Sequence, residues 1–478
     1  MGLHSILKNI TGISDDSRSV KKGHLFVAIS GSKENGKNYI EHAIKQGAKF
    51  IVIDKKSKLK TQHSEIEYIQ VDNPRAYLSK ISSLFYKNQP ENIVAVTGTN
   101  GKTSVAYFFQ QICNLLGHKS ASIGTLGVTT SEKENKLKTT SSLTSPMPIK
   151  LHKILKELYD QSYTHVAIES SSHGIHQNRL DNVKFKAAGF TNFSQDHLDY
   201  HLTLQKYFDA KLRLFSEVLE TDSYAVLNAD IKEFELIKKT CEERSIKVIE
   251  YGRKGKDLQV KSISLDHWRV KIFDKEYLLR LSLRGEFQLY NILCSVGLAI
   301  ACELSTHDIV GVLDKVTAAK GRLELVTEYN GADIYVDYAH TPDSLQTVLL
   351  TLRTICKGKL HVLFGCGGER DAKKRPMMGK IANRYADKII VTEDNPRGED
   401  PAIIRKHIMK ACPKGIEIEG RTKAIKYAIK NLKPNDILVI AGKGHENYQL
   451  ILGKKIYFSD FDEVKKMLAK YHNKNSLQ

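Results

Sequence analysis

Short apolar runs punctuate the chain, each closed by a glycine, a proline or a polar turn: Leu25 to Ile29, Phe50 to Ile53, Ile93 to Val96, Val166 to Ile168 and Ala187 to Phe190. Runs this short and unbroken suit strands buried on both faces. Helical spacing lies between them. After Val96, the positions Val105, Phe108, Phe109, Ile112, Leu115 and Leu116 trace one buried helix face, and Gly117 ends it. A chain that alternates strand and helix in this way predicts parallel sheets covered by helices.

Beyond about Arg322 the pattern begins again with Ile334 to Val336, Leu360 to Phe364, Lys388 to Val391 and Ile437 to Ile440, each followed by a turn. The expected fold class is therefore α/β in three domains: a small N-terminal α/β domain over 1–90, a central parallel-sheet phosphate-loop domain over 91–322, and a C-terminal Rossmann-like, doubly wound domain over 323–478. The Lys-rich segment from Asp54 to Glu67 reads as a solvated loop, and the residues from His472 as a polar tail.

Composition narrows the class. With 41% apolar and 27% charged residues, the chain is neither collagen-like nor a coiled coil nor wholly disordered. No run reaches the roughly 18 apolar residues that a membrane span requires. The start has no apolar leader core, and Ile6 stands where a myristoylation signal wants Ser or Thr, so a cytoplasmic protein is expected. Seven scattered cysteines without a C-x-x-C pair read as reduced packing residues. The net charge of +19 suggests anionic partners, but the basic residues form no block and no aromatic-flanked motif. Small anions are expected as partners, with no nucleic acid.

Chemistry concentrates at strand ends. Val94-Ala95-Val96-Thr97-Gly98-Thr99-Asn100-Gly101-Lys102-Thr103-Ser104 carries a strand into a glycine-rich turn and then a helix, so free N–H groups meet an anion there. Glycine lets phosphates approach, Lys102 reaches their oxygens, and the Thr103 hydroxyl suits Mg²⁺. Val96 stands where the usual spacing has its first glycine, and Gly98 lies only three positions before Gly101. The next strand ends in Glu169-Ser170-Ser171-Ser172-His173-Gly174, a hard carboxylate for Mg²⁺ on the same sheet edge. A further strand ends in Asp196-His197-Leu198-Asp199-Tyr200-His201. His197 and His201 could share a helix face, but no further ligand has zinc spacing, which favours a magnesium-phosphate role for one histidine.

The last domain's strand ends carry Asp337 to Asp343, Gly365 to Asp371, Thr392 to Arg397 and Ala441 to Glu446. Thr341 reads as an N-cap with Pro342 at the first helical position. Charges of both signs, including Arg370, Asp394, Arg397 and Glu446, suit a zwitterion such as an amino acid, its carboxylate gripped by arginine.

Together, Asp16-Ser17-Arg18 with Gly23 to Ala28, Gly98 to Thr103, Glu169 to Gly174, Asp196 to His201, Asp337 to Pro342 and Gly442 to Glu446 closely resemble the Mur ligases over nearly the whole chain. The resemblance is to the members that add meso-diaminopimelate. It implies an ATP-dependent, ADP-forming amide ligase of peptidoglycan precursor synthesis that joins meso-diaminopimelate to the D-glutamate of UDP-N-acetylmuramoyl-L-alanyl-D-glutamate through an acyl phosphate. It implies a uridine-nucleotide grip in the first domain by Ser17 and the turn around Ser32 to Gly36, with Thr144, Ser145, Ser171, Gln177 and Arg179 holding the muramoyl dipeptide. Asn291, Arg322 and Asp337 match ATP contacts, although Gln288 replaces a usual Asn nearby. Lys211 matches a carbamylated lysine that, with His197, supports a second Mg²⁺. Asp394-Asn395-Pro396-Arg397, with Arg370, Gly442 and Glu446, matches the diaminopimelate contacts. The chain is expected to work as a monomer on small molecules. The alternatives are a lysine-adding relative and a nucleotide-switch ATPase with a macromolecular partner.

Overall fold

A computed structural model of the chain describes residues 3–31, 34–57, 63–132, 143–264 and 267–475. Among the described residues the strands assemble into three large sheets and one hairpin. The first sheet is all parallel, in the order Gly12–Ser14, His24–Val27, Phe50–Asp54, Glu67–Val71. Residues 32 and 33 of the expected uridine-nucleotide turn, and residues 58–62 of the Lys-rich segment, lie outside the described residues.

The second sheet has ten strands, with the phosphate-loop strand Asn92–Thr97 between His165–Glu169 and Phe185–Phe190. Its side chains alternate between two cores. Val94 and Val96 face the helices Lys102–Leu115 and Glu286–Ala301, whereas Ile93 and Ala95 face Pro148–Asp160 and the opposite layer. Burying each such aliphatic side chain contributes about 1.5–3 kcal/mol. Leu258–Ile263, Trp268–Ile272 and Lys275–Leu279 extend one edge as an antiparallel meander.

The third sheet runs Glu324–Tyr329, Ala332–Asp337, Ile437–Ala441, Leu360–Phe364, Lys388–Val391, Ile416–Glu417. It is parallel except for its first strand, and helices cover both faces, as a doubly wound unit requires. Its last helix, Asp460–Asn475, takes in residues expected as a polar tail, because Val464, Met467 and Leu468 give it a buried stripe. The helix is pinned at its start. Arg421 Nε and Nη2 donate to the two Asp460 oxygens at 2.7 Å each, and both side chains are fully buried. Replacing Arg421 by Met strands a buried carboxylate, so urea unfolding should show a loss of roughly 3–5 kcal/mol, with Arg421→Met/Asp460→Leu recovering much of it.

No helix among the described residues is long and apolar enough to cross a membrane. The seven cysteines are free thiols, all buried except the partly exposed Cys356.

Candidate active site

Strand Asn92–Thr97 leaves the sheet at Gly98 (φ 138°) and enters its helix at Gly101 (φ 87°). A Cβ at Gly98 would stand 1.9 Å from Thr191 Oγ1, and one at Gly101 2.5 Å from Asn291 Oδ1, so the loop closes only with glycine at both places. Val96, where a first glycine was expected by spacing, remains inside the strand opposite Glu169, and the turn therefore begins at Gly98. The neighbouring strand end clamps the loop: Thr99 N and Asn100 N donate to Asn192 O (2.9 Å) and Oδ1 (2.8 Å), and Thr191 Oγ1 donates to Asn100 O (2.6 Å). Lys102 Nζ donates to the Gly98 and Thr99 carbonyls at 2.9 and 2.8 Å. Desolvation lowers this ammonium's pKa, while Glu169 and Asp196 act against the shift.

Glu169 is 2% exposed and accepts from Thr103 Oγ1 (3.0 Å), Thr125 N (2.8 Å) and Thr125 Oγ1 (2.9 Å). Arg322 Nη2 donates in turn to Thr103 Oγ1 at 2.8 Å. Ser145 Oγ donates to Glu169 O (2.8 Å) and accepts from Ser171 N (2.9 Å), while Arg179 donates to Ser145 O (3.0 Å) and Gln177 Oε1 (2.7 Å). Thr144 joins this network by accepting from Thr125 Oγ1 at 3.3 Å.

Lys211 is 1% exposed, donates to Gly98 O at 2.7 Å and lies 4.5 Å from the Tyr207 ring centroid. Burial first, and the Lys102 cation second, hold its amine well below the ordinary lysine range. His197 sits just before the short helix Leu198–His201 with φ 54°, so it does not share a helix face with His201, whose Nε2 meets Ser172 Oγ at 3.0 Å. Burial pushes the His197 imidazole down to about 3, against the pull of Asp196.

These groups surround a cavity of about 540 Å³ lined by Thr99 to Ser104, Thr144, Glu169, Ser171, His197, Lys211, Asn291, Arg322 and Asp337. Asp337 is fixed by Leu323 N and Ala339 N, each at 2.6 Å, and burial raises its pKa. Thr341 forms the expected N-cap, in a capping box with Ser344. Gln288 does not line the cavity. Its Oε1 instead accepts from Asn291 Nδ2 (3.1 Å), so it orients the residue that does. Residues that strand-end reasoning passed over also contribute: Thr125 on Glu169, and the rings of Phe287, Tyr290 and Tyr251 on the wall, while Asp343, at the end of the expected Asp337 loop, accepts from Asn100 Nδ2 at 3.0 Å.

A second cluster stands apart from this cavity. Arg370, Asp394, Asn395, Pro396, Arg397, Gly442 and Glu446 do not line it. Asn395 Nδ2 donates to Glu446 Oε2 (2.9 Å), a Cβ at Gly442 would lie 2.6 Å from Asp394 Oδ2, and Arg397 Nη1 donates to Gly368 O (2.8 Å). Burial and then the nearby Arg370 cation depress the Arg397 pKa. The cluster touches the His197 loop through Gln195 Nε2 to Asp371 Oδ2 (3.2 Å) and Arg370 Nη1 to Asp199 Oδ2 (3.8 Å). Ser17 lies apart from both, buried in the 3₁₀ turn Ser17–Ser19 of the first unit.

A phosphate loop at the edge of one sheet, facing a charged strand-end cluster on another, defines a nucleotide-dependent enzyme assembled between domains. Family models match along the chain: Mur ligase family, catalytic domain, over 9–86; Mur ligase middle domain over 96–299; and Mur ligase, glutamate ligase domain, over 321–444. The UDP-N-acetylmuramoyl-L-alanyl-D-glutamate--2,6-diaminopimelate ligase of Chelativorans sp. (strain BNC1) is 43% identical over 464 residues, 96% of this chain and 95% of its own. The ligase of the same name from Rickettsia typhi is 40% identical, covering 98% and 95%. A solved structure of a 2,6-diaminopimelate ligase of that name aligns with TM-score 0.69 at 30% identity over 97% of this chain and 95% of that one. MurF ligase from Thermotoga maritima, in complex with ADP, shares the fold with TM-score 0.63 at 18% identity, covering 98% and 99%. The chain belongs to the Mur ligase family, and it is a ligase.

Proposed function

We propose that this protein joins meso-diaminopimelate to the D-glutamyl carboxylate of UDP-N-acetylmuramoyl-L-alanyl-D-glutamate at the expense of ATP. The full-length identity to ligases of that name supports the reaction. The observation that carries the site assignment is the pairing of the Lys102 cavity with the Arg370, Arg397 and Glu446 cluster along the His197 loop.

A carboxylate is a weak electrophile and hydroxide a poor leaving group, so the acid must first be activated. A carboxylate oxygen attacks the γ-phosphorus and ADP leaves. The amine then attacks the acyl carbon, phosphate departs with the carboxylate's former oxygen, and the amine loses a proton. Lys102 lies where it can neutralise charge on the transferred group, and Arg322 beside Thr103 adds a second cation. Ser17 and Gly36 of the first unit are assigned to the uridine nucleotide, and Ser145, Ser171, Gln177 and Arg179 to the muramoyl dipeptide.

Among the described residues no three His, Cys, Asp or Glu gather as a protein-only metal cage. The hard oxygens of Thr103 and Glu169 fit one Mg²⁺ that would also draw on phosphate oxygens, and His197, neutral and half-buried, fits a second. Such ions supply charge neutralisation at the triphosphate. Lys211 fits carbamylation, because its buried amine has no ion pair among the described residues and is held toward the neutral, nucleophilic form. The test is phosphate release with each substrate omitted in turn. Release is expected only when the UDP-linked dipeptide, ATP and diaminopimelate are all present, and release with ATP alone at the full rate refutes the reaction.

A further inference from the structure

Lys443, one residue after Gly442, is fully buried. An ammonium has three N–H bonds to give. Those of Lys443 meet three acceptors on three segments: Asn395 Oδ1 at 3.4 Å, Glu446 Oε2 at 3.2 Å and the Tyr448 carbonyl at 2.5 Å. Asn395 closes a second circuit, donating to the same Glu446 oxygen at 2.9 Å and accepting from Leu450 N at 3.0 Å. Both bonds thus fall on Oε2, which leaves Glu446 Oε1 as the oxygen for a ligand's ammonium.

The third acceptor ties in the hairpin Tyr448–Ile451 and Lys454–Tyr457. That hairpin grips Arg397 by its backbone: Arg397 N donates to Leu450 O (2.8 Å), and Leu452 N donates to Arg397 O (2.7 Å). Arg397 has φ 55°, a left-handed conformation rare for a side chain of its size, and these flanking bonds hold it there. One buried cation therefore links the acidic and the basic members of the second cluster without reaching the ligand itself.

We propose that Lys443 is a positioning residue for amino-acid selection, fixing Glu446 directly and the Arg397 loop through Asn395 and the hairpin. The inference rests on the assignment of that cluster to diaminopimelate. It predicts an effect confined to one substrate. Lys443→Met removes all three bonds and keeps most of the stem, and Lys443→Arg keeps the cation.

The full-length protein and both variants are compared in phosphate release, varying diaminopimelate, L-lysine, ATP and the UDP-linked dipeptide separately. Lys443→Met is expected to raise KM for diaminopimelate about tenfold or more, as loss of one partner of a buried charged network does, and to erode preference over lysine by a similar factor. KM for ATP and for the dipeptide should stay within about twofold, and Lys443→Arg should recover part of the loss. If Lys443→Met does not fold, Lys443→Gln, which keeps an N–H donor, takes its place. An unchanged KM for diaminopimelate, a parallel rise in all three KM values, or failure of both uncharged variants to fold while Lys443→Arg behaves as the parent would overturn the proposal. A parent that turns over lysine but not diaminopimelate would refute the assigned substrate instead.

Discussion

Replacing Lys102 by Met should lower the turnover of amino-acid-dependent phosphate release by at least about 10³-fold, the scale of losing one preorganised charge at a phosphoryl transition state. Methionine matches the length of the stem, and its neighbours Gly101, Thr103 and Ser104 keep their own bonds, so the folded state should change little. The lost element is the ammonium that Gly98 O and Thr99 O hold at 2.9 and 2.8 Å. Arg322 remains, but its Nη2 is committed to Thr103 Oγ1 at 2.8 Å, so it does not take over the bonds that Lys102 makes. Steady-state kinetics with a thermal melt on the same sample separate the two effects: kcat should collapse while the melting temperature holds.

The second large effect is expected at Arg397. Its guanidinium is half-buried near Arg370, with the opposing charges of Asp394, Glu446 and Glu369 around it, and two neighbouring cations are best satisfied by a ligand that brings its own carboxylate. Diaminopimelate carries a second carboxylate where lysine carries none. Arg397→Met should therefore reduce kcat/KM for diaminopimelate by about 10²–10³-fold, since a charged hydrogen-bonded pair lost in a desolvated site costs about 3–4 kcal/mol, and change lysine far less. Competition kinetics with both amino acids read the ratio directly. Equal losses for the two would remove Arg397 from substrate selection.

Much of this is legible in the sequence. The strands that hold the phosphate loop, Glu169 and Asp337 are unbroken apolar runs, because strands buried on both faces admit little else. Thr341-Pro342 announced its helix, and the cysteines announced their burial. The meander Leu258–Leu279 was passed over because Trp268, Val270 and Ile272 alternate with exposed residues rather than run together. Thr125 carries no local signal. It matters only because Gly124, whose Cβ would meet Glu169 Oε1 at 2.1 Å, lets two distant strands close on each other. Lys443 falls within the strand-end loop Ala441 to Glu446 in sequence, but only the fold places three acceptors around it.

The central claim is that the acid is activated by phosphoryl transfer within the Lys102 cavity. It is tested most directly by placing ¹⁸O in the D-glutamyl side-chain carboxylate of the UDP-linked dipeptide and examining the phosphate released during ligation by mass spectrometry. The account predicts one ¹⁸O atom in each phosphate derived from a labelled oxygen, because that oxygen leaves with phosphorus. Phosphate free of label alongside normal amide formation would contradict it.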